Sequence, residues 1–139
     1  MFGRFGPTLE KMVAAIVPKE DDKRAIARYH KHYREFFHEY ARTYPGIIEL
    51  ITALRRANTS ICTGSDRKMT DTTLEKSGLR TMFSTVVTAD DATREKLDRF
   101  DFDSSTQPTQ TIYIGNAARD IKGSKKTGIA SAAVLWGLR

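Results

Sequence analysis

The ten residues Thr111-Ile112-Tyr113-Ile114-Gly115-Asn116-Ala117-Ala118-Arg119-Asp120 constrain the fold most. Ile112, Tyr113 and Ile114 are β-branched or aromatic, the types that fill a sheet. Gly115 allows a sharp turn where that strand ends. Asn116 and Asp120 then lie four apart, a spacing that sets an amide and a carboxylate on one side of a helix start. A short basic segment follows and ends at Gly128. The pattern predicts a buried strand, a glycine hinge and a helix. In open α/β sheets the carboxyl end of a strand is where ligands sit, so polar side chains there point to chemistry.

The rest of the chain supplies more such units. Pro7 suits a first helical position, and Leu9, Met12, Val13 and Ile16 recur at helical spacing up to Pro18. A longer helix is predicted from Glu20 to Arg42. Glu20, Asp21 and Asp22 stand at its positive end, and its apolar stripe is Ile26, Tyr29, Tyr33, Phe36, Phe37 and Tyr40. His30, His32 and His38 lie on this helix. None is four residues from another and no cysteine is near, so solvent-facing or interfacial histidines are expected rather than a zinc site. Tyr44-Pro45-Gly46 marks a boundary. Beyond it the pattern predicts helix 47–56, strand 59–63, helix 66–77 closed by Gly78, strand 84–88, strand 111–115, a helix through Lys122 to Gly128, and strand 131–136. Residues 98–109 are polar and read as a loop with at most one helical turn. Alternating units of this size imply an α/β fold, a parallel sheet with helices on both faces.

Bulk properties narrow the function. A chain of 139 residues makes one domain, or one domain with a small appendage. The net charge of +6 and pI near 9.6 attract anions without specificity. Residues 1–43 carry 9 Lys/Arg against 6 Asp/Glu and residues 44–139 carry 14 against 11, so no basic arm stands out. A solvated basic surface is favoured over a nucleic-acid face, since no nucleic-acid motif accompanies the charge. The single cysteine, Cys62, permits neither an internal disulfide nor a paired-cysteine metal site. No apolar run approaches a membrane span and no signal peptide is visible, so a cytoplasmic setting is expected.

Three features could carry chemistry. Thr63, followed by Gly64, ends a strand ahead of a helix, where a hydroxyl and backbone N–H groups can hold phosphate oxygens; the bland reading is a turn capped by Ser65 or Asp66. Lys96, after Asp90-Asp91 and just beyond the second strand, could neutralise phosphoryl charge; the bland reading is a surface lysine. Asn116 and Asp120 could address Mg²⁺ through oxygen, weakly because one donor is neutral; the bland reading is capping by Asn116 and a surface carboxylate. Each stands at the end of a successive strand, which makes the set more telling than any member.

In this order the motifs resemble those of the haloacid dehalogenase-like hydrolases, in the phosphoglycolate phosphatase-like branch with a helical cap. The resemblance equates Thr63 with the family's strand-end hydroxyl and Lys96 with its lysine. It equates Gly115-Asn116-Ala117-Ala118-Arg119-Asp120 with the acidic fourth motif, and Tyr44-Pro45-Gly46 with the return from cap to core. It implies a helical cap remnant over 1–43 and a Rossmannoid core over 44–139. It also implies phosphatase activity on small phosphorylated metabolites through an aspartyl-phosphate, with Thr63 and Lys96 catalytic, Thr63, Gly64 and Lys96 binding phosphate, and Asn116 and Asp120 at Mg²⁺.

Two departures qualify that expectation. The family's first motif, Asp-x-Asp-Gly-Thr, is absent; its two carboxylates are the nucleophile and the general acid. The Asp101-Phe102-Asp103 run is followed by Ser104 and comes after Lys96, the wrong order. Asn116 also stands where the family has a metal-binding Asp. The chain alone is therefore expected to be close to inert, either as part of a longer parent or as a degenerate relative used for binding or assembly. Its core is expected to lack the first strand, and the open sheet leaves room for self-association.

Overall fold

The computed structural model describes residues 9–91 and 107–136. Contacts divide the chain into two compact units, 1–92 and 93–139, each with its own pair of parallel strands.

The first unit begins with α1 (Leu9–Ala14), α2 (Asp22–Tyr40) and α3 (Ile47–Ala53). It continues with β1 (Ser60–Cys62), α4 (Arg67–Lys76) and β2 (Thr85–Val87). A single 3₁₀ turn, Lys19–Asp21, leads into α2, whose first residue, Asp22, is a carboxylate at the positive helix end. The aromatic stripe read from the sequence forms a run of ring contacts along α2. Tyr29–Tyr33, Tyr33–Phe37 and Phe36–Tyr40 have centroids 6.3, 5.7 and 6.0 Å apart. α2 packs on α1 and on α4. Its seam with α4 carries a Tyr33–Thr73 hydroxyl pair at 2.7 Å and a bond from Lys76 Nζ to the Arg34 carbonyl at 2.8 Å. The buried apolar residues of this unit are Leu9, Val13 and Leu74, all on α1 or α4.

β1 and β2 pair in parallel, with Ser60 opposite Thr85, Ile61 opposite Val86 and Cys62 opposite Val87. A parallel pair needs a crossover, and α4 supplies it. Gly46, before α3, and Gly78, after α4, have φ of 80° and 72°, the left-handed conformation glycine adopts without strain.

The second unit is a strand–helix–strand repeat: β3 (Ile112–Gly115), α5 (Ala118–Lys126) and β4 (Ala130–Ala133). β3 and β4 pair in parallel from Ile112–Ala130 to Gly115–Ala133, and α5 packs on both. Ile129 and Ser124 are buried between them, and Gly128 closes α5 at φ 73°. The one helical turn expected in the polar loop is the 3₁₀ turn Pro108–Gln110; residues 98–106 of that loop lie outside the described residues.

The fold is thus α/β with parallel pairing. The expected strands form with three or four residues each, the fourth starting one residue earlier than expected and ending at Ala133; β3 is not the buried strand expected, since Ile112 and Ile114 are exposed, and the ladders occur as two pairs. One reason given for a residue changes. Gly115 does not have positive φ, so it is not a left-handed hinge. A Cβ built there would stand 2.6 Å from both Cβ and Oδ2 of Asp120 and 2.8 Å from its Cγ. Glycine there admits the close approach of the Asp120 side chain.

Candidate functional site

Buried polar residues are more informative than buried apolar ones. Among the described residues they are Asp66, Thr70, Thr88, Asp120 and Ser124. Asp66, Thr88 and Asp120 each follow the carboxyl end of a strand, where the sequence places the chemistry.

At the end of β1, the Thr63 N–H donates to the Val87 carbonyl at 2.9 Å, extending the ladder by one residue. The Ser65 N–H donates to Thr63 Oγ1 at 3.2 Å, and the Ala89 N–H donates to the Ser65 carbonyl at 2.9 Å. Asp66 is the N-cap of α4: its Oδ1 accepts from the Met69 N–H at 2.8 Å. Of the two caps the sequence offered, the longer side chain takes the role. The Thr63 hydroxyl, accepting from Ser65, keeps its own proton to donate. That hydroxyl lies beside the first turn of α4, where Asp90 and Asp66 already accept from the Arg67 and Met69 N–H groups.

At the end of β2, Asp91 gathers donors. Its Oδ2 accepts from the Thr88 N–H at 2.5 Å, from Thr88 Oγ1 at 2.8 Å and from the Arg67 guanidinium at 2.6 Å. The neighbouring Asp90 Oδ2 accepts from the Arg67 N–H at 2.7 Å, and the Arg67 guanidinium also reaches the Val86 carbonyl at 3.1 Å. The hydrogen bond from Arg67 comes first, and the Thr88 N–H second, in holding the Asp91 carboxyl down at about 2. Asp91 correspondingly raises Arg67. The Asp90-Asp91 pair, which the sequence offers only as a lead into Lys96, is a clasp between β2 and the start of α4. Lys96 itself lies outside the described residues.

At the end of β3, Asp120 is 5% exposed and its Oδ2 accepts from the Ala117 N–H at 3.1 Å. Ala117, not Asn116, is the N-cap of α5, so Asn116 precedes the helix and is exposed. An alanine cannot cap with its side chain, and the carboxylate one turn on reaches back instead. The capping alternative for Asn116 therefore gives way to Asp120.

A hard dication takes several oxygens, with anionic ones foremost. The β3 end offers one buried carboxylate, one oxygen of which already accepts a backbone N–H, and one neutral amide. Among the described residues no group of three His, Cys, Asp or Glu could hold a metal. This donor set by itself falls short of a resident Mg²⁺.

The first unit therefore holds Thr63 and Gly64, and the second holds Asn116 and Asp120. Besides the Arg67–Asp91 clasp, the sequence does not show the contact made by His30. Its Nε2–H donates to Asp66 Oδ2 at 2.7 Å, with side chains only 13% and 7% exposed. Of the three histidines, His30 is interfacial, and His32 is exposed beside Glu35.

A family model described as haloacid dehalogenase-like hydrolase matches residues 3–134. The chain belongs to that family. Among relatives of this haloacid dehalogenase-like chain, the phosphoglycolate phosphatase of Synechococcus elongatus is 29% identical over 100 residues, 68% of this chain and 46% of that protein. The pyrophosphatase PpaX of Oceanobacillus iheyensis is 27% identical over 124 residues, 84% of this chain and 58% of that protein. Among solved structures, a haloacid dehalogenase-like family hydrolase of Streptococcus pneumoniae matches with a TM-score of 0.73 at 26% identity, over 95% of this chain and 65% of that one. The chain spans about half the length of the curated relatives it matches. No helix among the described residues is long and apolar enough to cross a membrane.

Proposed function

We propose that this chain supplies the phosphate-holding part of a phosphatase acting on small phosphorylated metabolites. The observation that carries the proposal is the turn at Thr63: a strand-end hydroxyl with a proton to donate, beside a capped helix N-terminus. Relatives named phosphoglycolate phosphatase and pyrophosphatase support the same substrate chemistry. In this reading the Thr63 hydroxyl and the Gly64 N–H hold phosphoryl oxygens, and Lys96 balances the charge of phosphate and nucleophile. In the same reading residues 1–43 are a helical cap remnant and 44–139 an incomplete core.

The nucleophile is a carboxylate from outside these 139 residues, because the sequence has no Asp-x-Asp-Gly-Thr. Its oxygen attacks phosphorus, the ester P–O bond breaks, and a second carboxylic acid protonates the departing alkoxide. Water then attacks phosphorus and releases phosphate and the free carboxylate. Asp120 and Asn116 would make only weak contact with Mg²⁺, which needs further oxygens from outside this pair.

Asn116 favours a second reading, a domain of the same fold that binds or assembles without turnover. Phosphatase assays on a panel of small phosphate monoesters separate the two. The chain alone is expected to show no turnover. The chain extended by an Asp-x-Asp-Gly-Thr segment from a relative is expected to turn over. Turnover by the chain alone contradicts the proposal, and an extended chain that stays inactive, even with Asn116→Asp, favours the second reading.

A further inference from the structure

We infer that His30 is a positioning residue for the Thr63 turn, acting through Asp66; the inference rests on the reading of that turn as phosphate-holding. His30 comes 36 residues before Asp66 in the chain and belongs to α2, an element with no other part in the site. Its Nε2–H donates to Asp66 Oδ2 at 2.7 Å, while the Met69 N–H donates to Oδ1 at 2.8 Å. With an oxygen held on each side, the carboxylate cannot rotate without breaking one bond or the other. Asp66 directly follows Ser65, whose N–H is on Thr63 Oγ1 and whose carbonyl accepts from Ala89. A rigid Asp66 therefore fixes, through Ser65, the direction of the Thr63 hydroxyl that an anion would meet.

The same contact could be mere interface cohesion between α2 and α4. The seam argues against that. Tyr33–Thr73 and Lys76–Arg34 hold α2 to α4 further along, and α1 packs on α2 from its own direction. One hydrogen bond among these is a small share of the docking. At Asp66, in contrast, it is half of the side chain's restraint. Loss of His30 should loosen the turn before it loosens the seam.

The test uses the full chain as wild type, His30→Ala, His30→Gln and the exposed control His32→Ala. Amide hydrogen exchange by NMR is read at Ser65 and Met69, against Leu54 in the same unit and Gly128 in the other. Inorganic phosphate affinity is read alongside. In His30→Ala, exchange at Ser65 and Met69 is expected to quicken about three- to tenfold, the span of one net hydrogen bond, with phosphate binding weakened by a similar factor. His30→Gln, whose amide N–H can donate from nearly the same place, restores most of both. His32→Ala matches wild type. Unchanged exchange at Ser65 and Met69, or equal acceleration at Leu54, overturns the inference. If wild type binds no phosphate while the exchange pattern holds, the reading of the turn as a phosphate site falls, and the role assigned to His30 falls with it.

Discussion

Gly115→Ala tests the close approach at the end of β3. The new methyl would meet Asp120 Cβ and Oδ2 at 2.6 Å and Cγ at 2.8 Å, whereas comfortable carbon contacts are about 3.5–4.0 Å. An overlap near 1 Å with a buried side chain falls in the overpacking range of about 1–3 kcal/mol. If Asp120 swings aside instead, the Ala117 N–H loses its acceptor, a cap loss of about 1 kcal/mol. Against this, replacing a glycine at an ordinary φ narrows the unfolded ensemble and returns about 0.4–1 kcal/mol. The net expectation is a destabilisation of about 0.5–2 kcal/mol. Urea denaturation followed by Trp136 fluorescence reads it, since Trp136 is the single tryptophan and follows β4 in the same unit. The Asp120→Gly background removes all three colliding atoms, so Gly115→Ala there should cost under about 0.5 kcal/mol, a clear non-additivity. A single mutant as stable as wild type, or an equal penalty in both backgrounds, refutes the steric account.

The Asp91 clasp should show in acid. Its folded pKa, about 2, is depressed below the ordinary 3.8, so its contribution is complete above pH ~4 and is lost as pH falls toward 2. The shift alone would imply about 2.4 kcal/mol. The side chain is 38% exposed, and screening brings the expected loss to about 1 kcal/mol. Stability measured from pH 5 to 2 should drop by that amount in wild type and much less in Arg67→Ala; equal drops contradict the clasp. Asn116→Asp adds a second carboxylate at the β3 end and should strengthen Mg²⁺ binding about tenfold or more by calorimetry, with no change expected if Asn116 and Asp120 do not share an ion.

The elements that were legible are those with local signatures. Gly78 and Gly128 mark helix ends, a polar side chain marks the start of α4, and β-branched runs mark β1 to β3. The Thr63 turn is legible because a hydroxyl, a glycine and a capping acid fall within the four residues Thr63 to Asp66. What escaped was made by tertiary contact. Arg67 meets Asp91 across 24 residues and His30 meets Asp66 across 36, and neither pairing leaves a periodic trace. A pair of acids directly after an apolar strand, with an arginine opening the preceding helix, was the one available hint of the clasp. The glycine at 115 stands out in the sequence but its contact with Asp120 does not, since flexibility and absence of a Cβ look alike there. The bland alternative of capping by Asn116 gives way because Ala117 is the N-cap and the carboxylate at the third helical position serves it.

The central claim, that the turn after β1 holds phosphate, is tested most directly by an NMR titration of the full chain with inorganic phosphate. The account predicts saturable shifts at the Gly64 and Ser65 amides, and an affinity about five- to tenfold weaker in Thr63→Val, which keeps the shape and removes the donated proton. Shifts confined to other parts of the chain, or an affinity untouched by Thr63→Val, would contradict it.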